Sequence, residues 1–197
     1  MIKLKPEKIK YLIIHHTATN RDRTTFEGVK KYHKSWAYQG RIISEAEARR
    51  LIAQGKRVKY PWGDIGYHWF ITGDGKLHKG RDEQWVGAHA KTAGYSMNYQ
   101  SLGIALTGNF EVENPAKEQI ATLDELLQRL RAKYNIPKEK VLGHREIPHS
   151  TLCPGKNFLP YLRTYRKRVE KPEPEIDKRS EALDEIIKVL KKYELIP

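Results

Sequence analysis

The sequence predicts an α/β fold, with a mixed central β-sheet flanked by helices. Two observations indicate it: short apolar runs of strand type alternate with longer segments of helical periodicity, and glycine, asparagine and proline turns separate them. The length of 197 residues is sufficient for a domain with its own core. With 39% hydrophobic and 31% charged residues, the composition is that of a globular chain and excludes a disordered one.

The first third of the chain is predicted to contain one strand and two helices. Residues 11–15 form a short apolar run, which is typical of a buried strand. Residues 25–37 place apolar and aromatic side chains at spacings of three and four, which predicts a helix. A second helix is predicted over residues 44–54, because a capping-box pattern begins at Ser44.

A hairpin and a further strand are predicted in the middle of the chain. Residues 67–72 are of strand type, and a Gly-Asp-Gly turn connects them to a second short run at residues 76–79. Residues 101–107 form another apolar run that ends in Gly-Asn. These segments add strands to the same sheet.

The last part of the predicted domain returns to helices. Asn114-Pro115 is typical of a helix start, and Pro137 ends the helix that follows. The apolar side chains on one face of this helix are Ile120, Leu123, Leu127 and Leu130. Residues 141–142 are predicted to form a short strand, and residues 158–169 a helix.

A proline-containing charged stretch divides the chain near its end. We interpret residues 1–170 as one domain, residues 171–177 as a linker, and residues 178–197 as a C-terminal amphipathic helix. This helix either packs on the domain or is a separate element that binds a bacterial wall, binds a membrane or associates with a second copy of the chain. Its balanced charges disfavour the membrane.

The chain is strongly basic, and the excess lies near the start. The net charge is +13, and the first 59 residues contain 15 basic and 5 acidic residues. This field attracts polyanions such as the acidic polymers of a bacterial wall, although a solvated basic surface is an equal interpretation. No nucleic-acid-binding motif appears, no apolar run is long enough to cross a bilayer, and no signal peptide is recognised. One cysteine excludes an internal disulfide framework.

Three residues at predicted strand ends or in nearby loops are of the types that bind zinc. They are His15, His144 and Cys153. Each of them alone is more often a satisfied polar residue or a small buried hydrophobe. Together they would supply three protein ligands and leave a fourth position for water, which is the arrangement of a catalytic zinc site.

The motifs around these residues resemble those of the zinc-dependent N-acetylmuramoyl-L-alanine amidases. The similarity is strongest to the phage lysozyme amidases and the related peptidoglycan recognition proteins, covers about residues 9–165, and keeps the order along the chain. The motifs are His15-His-Thr-Ala-Thr19, Asp64-Ile-Gly-Tyr-His68, Gly80-Arg-Asp-Glu83, Val86-Gly-Ala-His89, Ser101-Leu-Gly-Ile104, Gly143-His-Arg-Glu146 and Cys153-Pro-Gly155. The resemblance implies an amidase-type or recognition-protein-type fold.

The resemblance also implies a site. One catalytic zinc ion would be held by the three residues named above. Tyr67 matches the family's catalytic tyrosine, although it could also be a core aromatic. Thr151 stands where the phage enzymes have a lysine and the recognition proteins a threonine, so it is expected to assist without a positive charge. The residues expected to line the substrate groove are Trp85, His89 and Asn98.

The resemblance implies hydrolysis of the amide bond between N-acetylmuramic acid and L-alanine in bacterial peptidoglycan. Because no signal peptide is recognised, we expect a phage endolysin that stays in the host cytoplasm until lysis. A non-catalytic peptidoglycan receptor is the first alternative, but such members usually lack the cysteine present at Cys153. A cysteine hydrolase is the second, and the order of histidine and cysteine argues against it. An insertion over residues 38–61 either flanks the groove or is a solvated surface segment.

Overall fold

In the computed structural model, strands and helices alternate along the chain as the sequence predicts. The strands are β1 (Tyr11–His16), β2 (Trp36–Tyr38), β3 (Arg41–Ile43), β4 (Trp69–Ile71), β5 (Leu77–Lys79), β6 (Ser101–Leu106) and β7 (Val141–Gly143). The α-helices are α1 (Phe26–Lys34), α2 (Glu45–Ala53), α3 (Lys117–Tyr134) and α4 (Leu159–Lys167).

A five-stranded mixed sheet in the order β5-β4-β6-β1-β7 lies at the centre of the fold. Strand β1 pairs in parallel with both β6 and β7, and β4 pairs in parallel with β6. The predicted hairpin is present as the antiparallel pair of β4 and β5. The prediction of a mixed central sheet flanked by helices is therefore confirmed.

The two faces of the sheet have different roles. Leu12 and Ile14 of β1 point to one face and are fully buried against α3 and α4. Ile13 and His15 point to the opposite face. There, α1 and the loop before β6 cover the sheet in smaller clusters of buried residues. The larger core thus packs against one face of β1, and His15 lies on the opposite face, with the smaller clusters.

The structure describes residues 1–91, 96–148, 150–169, 186, 187 and 190. Residues Met1–Arg166 form one compact unit, and Lys167–Pro197 form a second one. The predicted linker over residues 171–177 lies outside the described residues. Of the predicted C-terminal helix, only Ile186, Ile187 and Leu190 are described, and each of them is helical. No helix in the described part of the chain is long and apolar enough to span a membrane.

Three predicted helix boundaries differ from the structure, and tertiary contacts explain two of them. The third is the end of α4, which lies at Lys167 and not at residue 169. Helix α3 begins at Lys117 and not at Asn114, because the side chains of Arg21 and Asn157 donate to the carbonyls of residues 114 and 113 and hold this segment in a turn. Helix α1 ends at Lys34, before the predicted residue 37. The Lys59 ammonium group donates to carbonyls in its last turn and beyond it.

The segment over residues 36–62 forms a small structure of its own beside the sheet. Strands β2 and β3 pair as an antiparallel ribbon, and α2 packs on them around Ile43, Ala48 and Val58. The predicted helix is confirmed here, since the Ser44 hydroxyl accepts the N–H of Glu47 at 3.2 Å and caps the first turn. The predicted insertion over residues 38–61 therefore lies within a segment that has a defined fold.

A largely buried carboxylate connects α3 to strand β4 of the sheet. Glu83 accepts the indole N–H of Trp69 at 2.8 Å, and its other oxygen accepts from Lys133 at 2.6 Å and from the Tyr134 hydroxyl. Its side chain is 11% exposed. Burial alone would raise the pKa of Glu83, but the three donors outweigh burial and lower it. The carboxylate is therefore charged in the folded chain down to acidic pH.

We expect the Glu83→Gln variant to have a free energy of unfolding about 1–3 kcal/mol lower at pH 7, because the amide cannot accept from all three donors. The folded-state pKa of Glu83 lies below its unfolded value, so its stabilisation is complete above about pH 4.5 and is lost as the pH falls through the folded-state pKa. Urea unfolding of both proteins between pH 7 and pH 3 measures this convergence. The exposed Glu139→Gln substitution is the control, and an equal loss at every pH would contradict the prediction.

Candidate metal centre

The two histidines of the site are brought together by strand register. Ile14 of β1 pairs with Gly143 of β7, and the next residues along these parallel strands are His15 and His144. Carboxyl ends of parallel strands meet at one edge of a sheet, where side chains of loops and strand ends converge. The ring centroids of His15 and His144 are 4.5 Å apart. The juxtaposition therefore follows from the topology.

Cys153 reaches the same point from the loop after β7. Its Sγ lies 3.6 Å from Nδ1 of His15, and the candidate ligand atoms of His15, His144 and Cys153 all lie within 4.8 Å of one another. The structure thus brings together the three side chains that the sequence singled out as metal ligands.

Backbone and hydroxyl contacts hold the cysteine in place. The carbonyl of Cys153 accepts the N–H of Arg145 at 2.7 Å, which joins the loops of the second histidine and the cysteine. The Thr151 hydroxyl accepts the N–H of Cys153 at 3.2 Å, and Sγ accepts the N–H of His16 at 3.4 Å. Gly155 has φ +99°, and a Cβ there would lie 2.3 Å from the Phe110 carbonyl carbon. Glycine is therefore required where the loop turns back.

Burial controls the protonation of the cluster. Burial, and then the neighbouring His89 and His144, lower the pKa of His15 well below its usual value, so its imidazole is neutral and can offer a lone pair. Burial raises the pKa of Cys153 to about 12, and the N–H of His16 only partly opposes it. Without a cation, this thiol stays protonated and is a weak nucleophile.

The donor set fits zinc in type and in spacing. Two imidazoles and a thiol are ligands that zinc prefers, and three protein ligands are typical of a catalytic site. In a tetrahedral site with bonds of about 2.0 Å to nitrogen and about 2.3 Å to sulfur, the two atoms lie about 3.5 Å apart. The observed separation of Sγ and Nδ1 is 3.6 Å.

Tyr67 lies beside this cluster. Its ring centroid is 5.2 Å from that of His15, and the ring also belongs to a small core with Ile65 and Phe70. Burial, and then the negative charge of a Cys153 thiolate, raise the pKa of Tyr67 far above its usual value. The phenol therefore keeps its proton at every physiological pH and is available as a hydrogen-bond donor.

The residues expected to contact substrate are more buried than a groove would require. His89 is 9% exposed and Asn98 is 7% exposed. The Asn98 side chain accepts the backbone N–H groups of His89 and Ala90 at 2.9 and 2.8 Å. Trp85 is half-buried, and its carbonyl lies 3.0 Å from Nε2 of His68. Their role as substrate contacts stays a prediction.

The sequence did not indicate the ion pair that holds the turn containing His144. The Glu146 carboxylate accepts the N–H of Gly143 at 2.7 Å and forms an ion pair with Arg166 of α4. Arg166 also donates to the carbonyl of Val141 at 3.0 Å. The Gly-His-Arg-Glu motif contains the acidic partner, but its basic partner is twenty residues away, so only the fold reveals it.

Comparison with known proteins gives consistent matches. A family model described as N-acetylmuramoyl-L-alanine amidase matches residues 5–156. Peptidoglycan-recognition protein SC2 of Drosophila melanogaster is 30% identical over 158 residues, which are 80% of this chain and 74% of that protein. The human N-acetylmuramoyl-L-alanine amidase is 36% identical over 125 residues, 60% of this chain but 21% of the human protein.

Solved structures share the fold. The N-acetylmuramoyl-L-alanine amidase LysC from Clostridium intestinale URNW aligns with a TM-score of 0.60 and 29% identity, covering 83% of this chain and 89% of LysC. Bumblebee PGRP-SA aligns with a TM-score of 0.58 and 26% identity, covering 84% of this chain and 86% of that protein. The resemblance seen in the sequence is therefore confirmed by independent matches.

Proposed function

The chain belongs to the N-acetylmuramoyl-L-alanine amidase family, and on this premise we propose that it hydrolyses the amide bond between N-acetylmuramic acid and L-alanine in bacterial peptidoglycan. The observation that carries the proposal is the convergence of His15, His144 and Cys153 within 4.8 Å, beside a protonated tyrosine. Similarity to LysC and to the human amidase supports it.

The proposed metal is one zinc ion, held by His15, His144 and Cys153. When bound, zinc polarises a carbonyl oxygen and makes a bound water acidic near neutral pH, which is the chemistry that amide hydrolysis needs. The neutral His15 imidazole can offer a lone pair to the ion, and His144 follows β7 directly at the same edge of the sheet.

Two hydroxyl groups are proposed to assist. The Tyr67 phenol, kept protonated by burial, would donate a hydrogen bond to the oxyanion that develops on the scissile carbonyl. The Thr151 oxygen is used as an acceptor for the N–H of Cys153, so its own proton remains available for donation to substrate. Because threonine carries no charge, we assign the larger contribution to Tyr67.

A receptor without catalysis is the second candidate, because several matched relatives are named peptidoglycan-recognition proteins. The complete set of three candidate metal ligands in this chain, two histidines and a cysteine, favours the enzyme. A cysteine hydrolase is disfavoured, because burial raises the pKa of the Cys153 thiol to about 12 and leaves it protonated.

We propose that the enzyme serves as an endolysin, held in the host cytoplasm before lysis and acting then on the wall. The support is similarity to the endolysine LysCS from Clostridium intestinale URNW, which is 28% identical and aligns over 83% of this chain. The basic first 59 residues would favour contact with anionic wall polymers. The catalytic domain would span residues 1–170, with the linker over 171–177 and the C-terminal helix over 178–197 attached to it.

The segment over residues 36–62, which contains the predicted insertion, is proposed to extend the substrate-binding surface with aromatic rings. Trp62 is 38% exposed and its ring lies 4.4 Å from that of His33, which in turn contacts Tyr67. Tyr60 is 56% exposed, and its ring lies 4.7 Å from that of Trp36. Trp62 is connected to the site through His33, whereas Tyr60 and Trp36 form a second pair of rings in the same segment. Exposed rings of this kind are suitable for stacking on sugar rings of the glycan strand.

We expect Tyr60→Ala to weaken co-sedimentation with insoluble peptidoglycan about two- to tenfold, since one aromatic contact contributes about 0.5–1.5 kcal/mol. Its urea unfolding midpoint should stay close to that of the wild type. Val169→Ala removes another exposed apolar side chain and is the control. Unchanged binding of the Tyr60 variant would favour the interpretation of the insertion as a solvated surface segment.

The experiment that tests the proposed function is product analysis after digestion of purified peptidoglycan. We expect new L-alanine amino termini and no new reducing sugar ends. Reducing ends would mean cleavage of the glycan instead. Co-sedimentation without products of either kind would support the receptor.

A further inference from the structure

We propose that His89 is a positioning residue, whose Nδ1 accepts the Nε2–H of His15 and thereby directs the His15 Nδ1 lone pair towards Cys153 and His144. The inference rests on the proposed function in taking His15 as a zinc ligand. It gives His89 a role different from the substrate contact predicted from the family resemblance.

The first observation is how the two nitrogens of His15 are used. Nδ1 lies 3.6 Å from Sγ of Cys153, inside the cluster of candidate ligands. Nε2 points the other way and lies 3.1 Å from Nδ1 of His89, in a contact buried on both sides. One ring therefore connects the proposed metal position to a residue behind it.

The second point is which nitrogen carries the proton in the contact between Nε2 of His15 and Nδ1 of His89. A hydrogen bond between two imidazole nitrogens needs one N–H and one lone pair. If His15 ligates through Nδ1 as a neutral ring, its proton is on Nε2, and His89 must accept it. The reverse arrangement would place the proton on Nδ1 of His15 and would remove the lone pair from the cluster.

The third observation is that the fold builds a close-fitting space for the His89 ring. A Cβ at Gly87 or at Gly103 would lie 2.5 Å from carbon atoms of this imidazole, so neither position accepts a side chain. The Asn98 side chain fixes the backbone on both sides by accepting the N–H groups of His89 and Ala90. The ring is thus enclosed beside His15 by its own loop at Gly87, by Gly103 of β6, and by the backbone that Asn98 fixes.

Partners that orient a metal-binding histidine typically change metal affinity 10–100-fold when they are removed. Asparagine at position 89 places Oδ1 at nearly the position of Nδ1 and can accept the same hydrogen bond. Glutamine moves its acceptor one bond further away, and alanine has none. These three substitutions separate the acceptor from the bulk of the side chain.

We expect His89→Ala and His89→Gln to weaken zinc binding about 10–100-fold, and His89→Asn to stay within about threefold of the wild type. Competition with a chromophoric chelator measures the affinity. The matched control is His33→Asn, which replaces another buried histidine, one that accepts the N–H of Gly66 and does not contact His15. It should leave zinc affinity unchanged. Urea unfolding of each variant identifies any that do not fold, and the Asn and Gln variants then decide the comparison.

A second measurement needs neither zinc nor peptidoglycan. Long-range ¹⁵N–¹H NMR of the metal-free chain reports which nitrogen of His15 carries the proton, and we expect Nε2 in the wild type and a mixture in His89→Gln. A wild-type proton on Nδ1, or equal zinc affinity in all His89 variants, would overturn the inference while leaving the proposed function intact. A wild-type chain that binds no zinc would overturn the proposed metal, and the tautomer would still decide the role of His89.

Discussion

Replacing Cys153 by alanine is expected to remove the bound zinc and to lower the rate of peptidoglycan hydrolysis by about 10³-fold or more. The thiol supplies one of three ligand atoms within 4.8 Å, and the two remaining histidines would hold the ion weakly. Loss of the metal removes both the polarisation of the scissile carbonyl and the acidic bound water, which together lower the barrier to hydrolysis by several kcal/mol. Metal content by atomic emission and release of L-alanine termini measure the two effects together.

The neighbouring Leu152→Ala substitution is the control, because this side chain is 61% exposed in the same loop. It should leave the metal content at one ion per chain. If the Cys153 variant kept zinc and full activity, the proposed ligand set would be wrong. If it kept zinc but lost activity, a cysteine nucleophile would become the better explanation.

Replacing Tyr67 by phenylalanine is expected to lower kcat about 10²–10³-fold, with the zinc content unchanged. The substitution removes only the hydroxyl, so the ring keeps its packing against Ile65 and Phe70. The loss in kcat follows because the phenol donates to charge that develops only in the transition state, whereas KM should change little.

Tyr165→Phe is the matched control, since this tyrosine is 5% exposed and belongs to the core on the opposite face of the sheet. Its kcat should equal that of the wild type. A kcat of the Tyr67 variant within about twofold of the wild type would contradict this role, because loss of an oxyanion donor has a far larger effect. Tyr67 would then be assigned to the core alone.

The sequence was sufficient to predict which two histidines and which cysteine the fold brings together, and the strands that place the two histidines. His15 closes an apolar run and His144 follows another, and parallel strands place such residues at one edge. Periodicity also located α2 and its Ser44 cap correctly. These features depend on short segments of chain, where local patterns are most informative.

Features that depend on tertiary contacts were not predictable from local patterns. The start of α3 moves to Lys117 because side chains from distant segments hold residues 113 and 114 in a turn. The position of His89 behind His15 depends on space left by two glycines, one of them on β6. Neither spacing nor composition contains this information.

The most direct test of the central claim is a zinc titration of the metal-depleted chain, with release of L-alanine amino termini from peptidoglycan as the signal. We predict that the depleted chain is inactive and that activity rises in proportion to added zinc until one ion per chain is bound. Full activity in the depleted chain, or no recovery at one equivalent of zinc, would contradict a zinc-dependent amidase built on His15, His144 and Cys153.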